Sequence, residues 1–387
     1  IYLFIGYKKR RTSIRLSPRK EEEAIDLFRS TVRAMELMSP LGVYAGLPEG
    51  EVNYPVLNKR YDEETASSDP TTLAEELISR AREKGLSVSS GSVYIKVGKE
   101  SIHTNKGRMG DFRYSEVLLS IKCEKGLASI PWSESSTSLN SLHIDLMMDF
   151  FQDLISSTQG VTEVEPGKFS LILSPLAVTE LLSKMPSFLS ALSVLTGRSL
   201  YESKLDEKVA SEALSLIDNP LDEGNVGARP FDEESFPTRK IEFIKEGVLK
   251  SLAHNSLTAK IFNVENTAHA GFEFPKPHSL EVRVSPSYDD LLSGVKRGVL
   301  LTNLWYARYD DPLTGHLSIV SKDSSFLVEN GRLVRLLRGL RLKGTLTELL
   351  ESIVCSSNDR HWLRRRPTST PIKTSSLLLE EVSVTPI

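Results

Sequence analysis

Apolar residues near the start of the chain recur at helical spacing. Residues 21–38, EEEAIDLFRSTVRAMELM, begin with three glutamates where a helix dipole favours them, and residues 71–84 repeat the helical pattern. The stretch 41–70 between them contains several Gly and Pro residues followed by polar residues, which predicts an extended connection across the surface. Two helices joined by an irregular segment are therefore expected.

Beyond these helices the apolar period changes to two, which is typical of half-buried strands. Alternation over 93–97 and 117–121 predicts antiparallel strands, with a turn offered by Gly98-Lys99. The serine-rich patch 133–141 is expected to be a linker or helix entry. Residues 142–155 then predict an amphipathic helix with Leu142, Leu146, Phe150 and Leu154 as its apolar stripe.

The second half begins with a predicted strand at 169–173 and a helix from Pro175 to about Met185, with proline at the tolerated first turn. Short strands then predominate, and helices are expected only near 288–292 and 345–352. The predicted strands of this half lie at 236–244, 279–284, 299–309, 317–328 and 333–337.

These patterns predict an α+β protein of two domains. Residues 1–158 form an N-terminal domain of helices with an antiparallel sheet. Residues 159–387 form a C-terminal, strand-rich domain of mixed and antiparallel sheets with few helices. Because Ile1 stands first and a basic run follows too soon for a signal peptide, we expect the chain to begin part-way through its first domain.

Composition narrows the class of protein. The 387 residues suffice for two cores, and a net charge of -3 gives no global reason to expect nucleic acid or an anionic membrane. No apolar run approaches about 20 residues, so no spanning helix is predicted. The two cysteines, Cys123 and Cys355, lie far apart, which favours a reducing compartment and hence a cytoplasmic protein.

The loop 216–236, LIDNPLDEGNVGARPFDEESF, joins two strand-like segments through residues that end regular structure. Such a loop can hold a metal, bind a basic or extended polymer, or serve as a solvated connection. We interpret the charge run as solvated. Its six acids are Asp218, Asp222, Glu223, Asp232, Glu233 and Glu234.

Other candidates for chemistry are weaker. His254, His269 and His278 share one stretch without the spacing of a zinc motif, so scattered polar histidines are the preferred interpretation. The run Arg364-Arg365-Arg366 could contact phosphate or acidic protein, and a solvated basic patch is preferred. The sequence contains no G-x-S-x-G, P-loop or dinucleotide fingerprint.

A collinear series of motifs is more specific than any of these residues. From about residue 140 to 387 the chain resembles the TldD/PmbA family, whereas the first 140 residues resemble it only in the order of helices and strands. The motifs are LIDNP at 216–220, GARPFDEE at 227–234, PTR at 237–239, IKEGVL at 244–249, GVLLTNLW at 298–305, DPLTG at 311–315, FLVENG at 326–331 and SND at 357–359.

The resemblance implies a zinc metallopeptidase architecture. In the TldD branch a His-Glu-x-x-x-His segment lies on a helix after a strand, and a distal Cys completes the site. Zinc held by such ligands lowers the pKa of its water to about 7, with the Glu as base. In the corresponding helix here, Thr179 and Lys184 replace the two histidines, and Glu180 is retained. The distal Cys position falls near Ser356, one residue from Cys355.

The resemblance therefore implies the PmbA, or TldE, branch, which lacks the zinc ligands. We expect no catalytic residue, metal or cofactor in this chain, a structural role for Glu180, and zinc in a TldD-like catalytic subunit. The expected function is that of the non-catalytic subunit of a TldD/TldE heterodimer acting on unfolded or extended peptides. In the partner's absence a homodimer stays open as an alternative, and neither a membrane nor nucleic acid is an expected partner.

Within the loop 216–236 the resemblance changes what is expected of particular residues. Arg229 and Asp232 are the candidates for facing peptide or partner. Gly224 and Gly227 allow backbone shapes that other residues resist.

Two other functions stay open. One is an autonomous metallopeptidase with a rearranged metal site, such as Cys355, His254 and His269. The other is a peptide-binding or gyrase-associated regulatory protein without protease activity, following the family's description as a modulator of DNA gyrase. With a pI near 6.3 and one basic run, direct DNA binding is only weakly supported.

Overall fold

A computed structural model describes residues 1–17, 20–156, 160–366 and 368–387. The chain begins with a hairpin and a helix, β1 (Tyr2–Tyr7), β2 (Arg10–Arg15) and α1 (Glu21–Glu36). The helix confirms the prediction at 21–38, and its first turn holds the three glutamates. Met35 is its buried residue, whereas Ile25, Leu27 and Phe28 remain at least 40% exposed.

The next elements correct the position of the predicted turn. After α2 (Glu63–Ser67) and α3 (Pro70–Glu83), one long hairpin joins β3 (Ser87–His103) to β4 (Met109–Lys125). A turn at Gly98-Lys99 is wrong: Gly98 stays in the strand, where a Cβ would lie 2.6 Å from the ring of Tyr114. The chain reverses instead at 104–108, where Gly107 adopts a φ of +89°.

The serine-rich patch is mainly a strand rather than a linker. Residues Ser133 to Ser136 complete β5 (Ala128–Ser136), which pairs with β4, and all four are buried. Small side chains suit this strand because other elements of the chain pack against it. The helix α4 (Ile144–Ser156) follows as predicted, but its buried face is rotated from the expected stripe and consists of Met147, Met148, Phe151 and Leu154.

The second half is strand-rich, as predicted. In chain order its elements are β6 (Val161–Thr162), β7 (Gly167–Leu173), α5 (Pro175–Leu181), α6 (Met185–Phe188), α7 (Ala191–Leu195), β8 (Leu214–Asp218), β9 (Ile241–Lys245), β10 (Val248–Leu249), α8 (Ser256–Phe262), β11 (Leu280–Val284), β12 (Ser287–Tyr288), β13 (Arg297–Leu301), β14 (Leu304–Asp311), β15 (His316–Ser321), β16 (Ser325–Glu329), β17 (Arg332–Leu337), β18 (Leu340–Thr345), α9 (Leu346–Glu351), β19 (Ile353–Ser357), β20 (His361–Leu363), β21 (Ile372–Thr374) and β22 (Leu377–Pro386).

Some predicted segments divide or change type. The segment 299–309 falls into β13 and β14, and 317–328 into β15 and β16. The helix predicted near 288–292 is wrong, because β12 occupies 287–288 and the chain then bends where Asp290 Oδ1 accepts from the backbone N–H of Leu292 at 2.8 Å. The α9 prediction is confirmed, with Thr345 as its cap.

The described strands form four sheets, which confirms a mixed and antiparallel α+β fold. They are β1-β2, β3-β4-β5, a six-stranded sheet in the order β10-β9-β8-β11-β21-β20, and an eleven-stranded sheet. The main path of the last is β14-β15-β18-β22-β7-β13-β16-β17-β6. β7 lies inside it, antiparallel to β22 and parallel to β13.

Two hydrophobic clusters fill the interior. The first cluster consists of residues from Val164 onward. The second cluster combines residues of the first segment (1–156), such as Phe151, with residues of the second segment (160–387), such as Phe326. The domain division expected between residues 158 and 159 lies outside the described residues. No described helix combines the length and apolarity needed to cross a membrane.

Candidate functional site

The strand and helix to which the resemblance pointed are both present. β7 leads into α5 through Ser174, whose hydroxyl donates to the carbonyl of Thr302 at 2.6 Å and accepts from the N–H of Ala177 at 3.3 Å. Pro175 then occupies the first turn. This cap ties the start of α5 to the end of β13 and fixes the helix against the eleven-stranded sheet.

The two positions aligned with zinc-binding histidines offer no suitable donor. The hydroxyl of Thr179 is buried and donates to the carbonyl of Leu176 at 2.7 Å. Lys184 is exposed and lies beyond α5, because the helix stops at Leu181 rather than near Met185. Pro186 follows in the first turn of α6, where proline is tolerated.

Glu180 is held by an ion pair. Its Oε2 lies 3.0 Å from Nε of Arg365, and its Oε1 accepts from the N–H of Ala307 at 3.3 Å. Burial lowers the pKa of Arg365, and the carboxylate of Glu180 opposes that shift. The solvated basic patch is therefore wrong for two of its arginines: Arg364 pairs with Glu116 at 2.6 Å, and only Arg366 is exposed.

Cys355 and the histidines do not form the rearranged metal site. Cys355 is a buried thiol within the second hydrophobic cluster, and burial raises its pKa. Across residues 1–17, 20–156, 160–366 and 368–387, no three His, Cys, Asp or Glu side chains are grouped so that they could hold a metal ion. The donors that the family's zinc would need are therefore not assembled in the described chain.

The acids of the loop 216–236 are mostly not solvated, contrary to expectation. Asp218 is completely buried at the end of β8 and accepts from Nε2 of His269 at 3.1 Å and from the N–H of His278 at 2.6 Å. Burial opposes its ionisation, but the hydrogen bond from His269 and the charge interactions with both histidines keep its pKa below the usual value. This network anchors the first end of the loop.

The histidines of this stretch are clustered rather than scattered. The rings of His269 and His278 stack with centroids 5.0 Å apart, and Thr267 connects the backbone of His254 to the ring of His269. Burial lowers the pKa of His254 to about 4 and that of His278 to about 3. The Nε2 of His278 lies 2.8 Å from the carbonyl oxygen of Ala268, whereas the buried Nδ1 of His254 has no hydrogen-bond partner among the described residues.

The second end of the loop is anchored by two buried acids. Asp232 accepts from the N–H groups of Glu234, Phe236 and Ala270 at 2.9 to 3.0 Å. Glu234 is paired with Arg11 and accepts from the N–H of Ser256 at 2.8 Å. Burial and the neighbouring charge of Glu234 raise the pKa of Asp232 to about 8. Asp232 thus faces the protein interior rather than a peptide or partner.

Arg229 instead lines a cavity of about 170 Å³, here called the polar cavity. Its guanidinium pairs with Glu233 at 2.8 Å and with Glu100 of β3 at 3.0 Å. The wall combines the loop 216–236 with residues of β3, β4 and the segment 270–278. Further lining residues are Arg60, Lys96, Tyr114, Lys276, His278 and Arg364. Arg229 is thus a cavity residue, whereas its role toward a peptide or partner stays a prediction.

With this fold and these sites defined, residues 166–386 match the model of the PmbA/TldA metallopeptidase C-terminal domain. The chain belongs to the PmbA/TldD family of metallopeptidase-related proteins. The match covers the region from the strand before α5 to the final strand, and thus contains both the α5 site and the loop 216–236.

Curated relatives carry metalloprotease names. A metalloprotease of Methanocaldococcus jannaschii is 29% identical over 201 residues, which are 50% of this chain and 44% of that protein. Metalloprotease PmbA of Escherichia coli O157:H7 is 23% identical over 230 residues, 58% of this chain and 48% of that protein. The chain thus spans about half the length of the curated relatives that it matches.

Solved structures share the fold over nearly the whole chain. TldE from Thermococcus kodakarensis superposes with a TM-score of 0.85 at 21% identity, covering 99% of this chain and 89% of that one. A proposed modulator of a DNA gyrase from Thermotoga maritima gives a TM-score of 0.82 at 21% identity, covering 99% and 88%. These likenesses extend the family fold to the first 140 residues, where sequence motifs are weak.

Sequence reasoning missed Arg365 as the partner of Glu180 and missed the N-terminal wall of the polar cavity. The pairing joins residues far apart in sequence, and no local pattern marks it. For the cavity one signal existed, because Lys96, Gly98 and Glu100 share one face of an alternating strand. That face could not be assigned to the loop 216–236 without the tertiary structure.

Proposed function

We propose that this chain is the non-catalytic, TldE-like subunit of a two-chain metallopeptidase, in which a TldD-like partner supplies the zinc and the general base. The proposal rests on the side chains that α5 and the residues after it place where the family's zinc site would be. The carboxylate of Glu180 forms an ion pair with Arg365 and accepts a hydrogen bond from the N–H of Ala307. The hydroxyl of Thr179 donates to a carbonyl, and the side chain of Lys184 is itself a cation. A protonated lysine repels a metal ion, so these donors do not fit zinc.

The comparisons support the proposal at the level of the family. The superposition on TldE covers this chain almost completely, and several curated relatives are metalloproteases. Because the matched segments of those relatives are half of their length or less, a shared activity, partner and substrate are part of the proposal. We also place the protein in the cytoplasm, which the free, buried thiols of Cys123 and Cys355 support.

Strand addition is the physical route by which such a pair can capture unfolded peptides without reading their sequence. β14 ends the path of the eleven-stranded sheet and pairs, among the described strands, with β15 alone. Trp305 and Tyr306 are exposed on this edge, with ring centroids 4.4 Å apart. Glu180 already occupies the N–H of Ala307, so a peptide would pair with the remainder of this edge or displace that contact.

One assay tests the proposal directly. Peptide hydrolysis and bound zinc are measured for this chain alone, for a TldD-like chain from the same cell, and for their mixture. We expect neither zinc nor hydrolysis with this chain alone, and zinc-dependent hydrolysis in the mixture. Stoichiometric zinc in this chain alone, or hydrolysis by it that is lost in Glu180→Ala, would overturn the assignment.

Co-purification separates the second candidate function. A peptide-binding or gyrase-associated protein without a protease partner would be recovered from the source cell without any TldD-like chain. A heterodimer subunit is expected to bring that chain with it. The choice between these outcomes does not depend on finding the right substrate.

A further inference from the structure

The polar cavity carries a surplus of positive charge. Five cationic side chains and three carboxylates line it. Arg229 and Arg364 are paired with carboxylates, and Arg60 donates to the carbonyls of Ser115, Val226 and Ala228. In the described part of the chain, neither Lys96 nor Lys276 forms an ion pair, and the ammonium of Lys96 lies 5.0 Å from the centroid of the Tyr114 ring. Both ammonium groups therefore keep N–H donors for a ligand.

The wall also holds polar atoms that lack partners. The Nε of Arg229 and the Oε2 of Glu233 are buried and have no hydrogen-bond partner among the described residues. Such atoms are usually satisfied in folded proteins. One is a donor and the other an acceptor, so together they suit a ligand that presents both a carboxylate and an N–H group.

The form of the cavity suits the end of a chain better than a free ion. Its volume of about 170 Å³ exceeds that of a small inorganic anion, since one water occupies about 30 Å³. Gly98 lets the ring of Tyr114 lie across β3 between Lys96 and Glu100, which gives the cavity an aromatic wall. β3 is also an edge strand, which in the described residues pairs with β4 alone.

We propose that the polar cavity binds the C-terminal carboxylate of an extended peptide, with Lys96 and Lys276 as its cationic partners and Arg229 and Glu233 contacting the last residues. Capture of a terminal carboxylate is an established mode of peptide recognition. The inference rests on the proposed function for the source of the peptide, which would be a substrate or product of the peptidase pair. The binding itself requires no hydrolysis.

Fluorescence anisotropy of a short, unstructured peptide labelled at its N-terminus tests the inference, with this chain alone and with a TldD-like partner. The same peptide is compared with a free C-terminus and as the C-terminal carboxamide. Loss of the carboxylate is expected to weaken binding about tenfold or more, because hydrogen bonds to charged groups are among the stronger ones. The K96M/K276M variant should weaken binding of the free acid similarly and leave the carboxamide unchanged.

Lys99→Met is the matched control. Lys99 lies on the opposite face of β3, where it pairs with Asp111 at 2.9 Å, so its removal should leave both affinities as they are. Equal binding of acid and carboxamide, or no binding in either form of the protein, would overturn the inference. Competition by inorganic phosphate without discrimination between the two peptides would instead assign the cavity to a free anion.

The two proposals fail separately. Carboxylate-dependent binding without zinc-dependent hydrolysis in the mixture would refute the peptidase assignment alone. Hydrolysis that proceeds while acid and carboxamide bind equally would refute the cavity assignment alone.

Discussion

Asp232 is completely buried, and its two oxygens accept from three backbone N–H groups that belong to the loop 216–236 and to Ala270. Two opposing influences act on its charge. Burial and the carboxylate of Glu234 favour the protonated form, whereas the N–H groups favour the ionised form. The balance raises its pKa to about 8, so the loop is held by a carboxyl group that titrates near neutral pH.

Replacing Asp232 by Asn should therefore change how stability depends on pH. The unfolded pKa of Asp is about 3.9, and the folded value is about 8, so the folded state binds the proton more tightly. The contribution of Asp232 is thus fully present below about pH 4 and is lost as pH rises toward 8. The free energy of unfolding of the wild type minus that of Asp232→Asn should fall across this range, by at most about 1.4 kcal/mol per pH unit.

Urea unfolding at several pH values measures that difference. The amide also changes the hydrogen bond to Ala270, which adds an offset, but an offset independent of pH leaves the slope unaffected. A difference that stays level from about pH 4 to pH 8 would show that the three N–H groups dominate and that the carboxylate remains ionised in the folded protein.

At the scale of the element, the loop 216–236 is shaped by close packing rather than by unusual backbone angles. Neither Gly224 nor Gly227 adopts a positive φ, contrary to the expected use of glycine here. A Cβ on Gly227 would lie 2.7 Å from the carbonyl oxygen of His278 and 3.0 Å from Cγ of Pro371. Gly227 is required because the loop approaches neighbouring backbone closely.

The two glycines therefore predict opposite outcomes. Gly227→Ala should destabilise the protein by about 1–3 kcal/mol, because the nearest atom is a backbone oxygen and not the end of a flexible side chain. Gly224→Ala meets only Oδ1 of Asp222 at 3.6 Å and should be neutral or stabilise by up to about 1 kcal/mol. Denaturant unfolding of both variants measures this; equal free energies of unfolding would show that the loop shifts freely away from His278.

How far the sequence predicted these elements depends on the range of the forces involved. The helix at 21–38 and the strand before α5 were predicted because their signals are local: apolar period, caps and proline. The prediction of a turn at Gly98-Lys99 is wrong because Gly98 instead leaves space for the ring of Tyr114, which lies on the neighbouring strand. The burial of Asp218 and Asp232 could not be predicted, since charge runs appear solvated until distant N–H groups are known to surround them.

At the α5 site, too, local sequence predicted some features and only the tertiary structure revealed others. Family motifs located Thr179, Glu180 and Lys184, and that placement did not require the structure. The pairing of Glu180 with Arg365 did require it, because the two residues approach only when β20 and the following segment pack near α5. Thus the side chains at the aligned positions could be predicted from sequence, whereas the ion pair of Glu180 with Arg365 could not.

At the scale of the whole molecule, the first and second segments are joined by a common interior. The second hydrophobic cluster takes Met147 and Phe151 from α4 and Phe326 and Val328 from β16. The polar cavity is likewise walled by β3 and β4 on one side and by the loop 216–236 on the other. Peptide binding in this cavity would therefore require both segments to be folded and docked.

This shared interior predicts a single cooperative unfolding transition. Phe243 is completely buried in the first cluster, whose described residues all lie at or after Val164. Phe243→Ala should cost about 3–5 kcal/mol through the cavity that it leaves. If the segments unfold together, that loss also lowers the midpoint reported by Trp132, which lies in β5 of the first segment.

Two tryptophan-substituted variants allow the fluorescence of each segment to be measured separately. W305F/W362F retains only Trp132, whereas W132F retains the two tryptophans of the second segment. Fluorescence during urea unfolding should give coincident midpoints in both backgrounds, and Phe243→Ala should lower them equally. A midpoint for Trp132 that stays in place while the other falls would show two independent domains, and the polar cavity would then lie at an interface able to open without global unfolding.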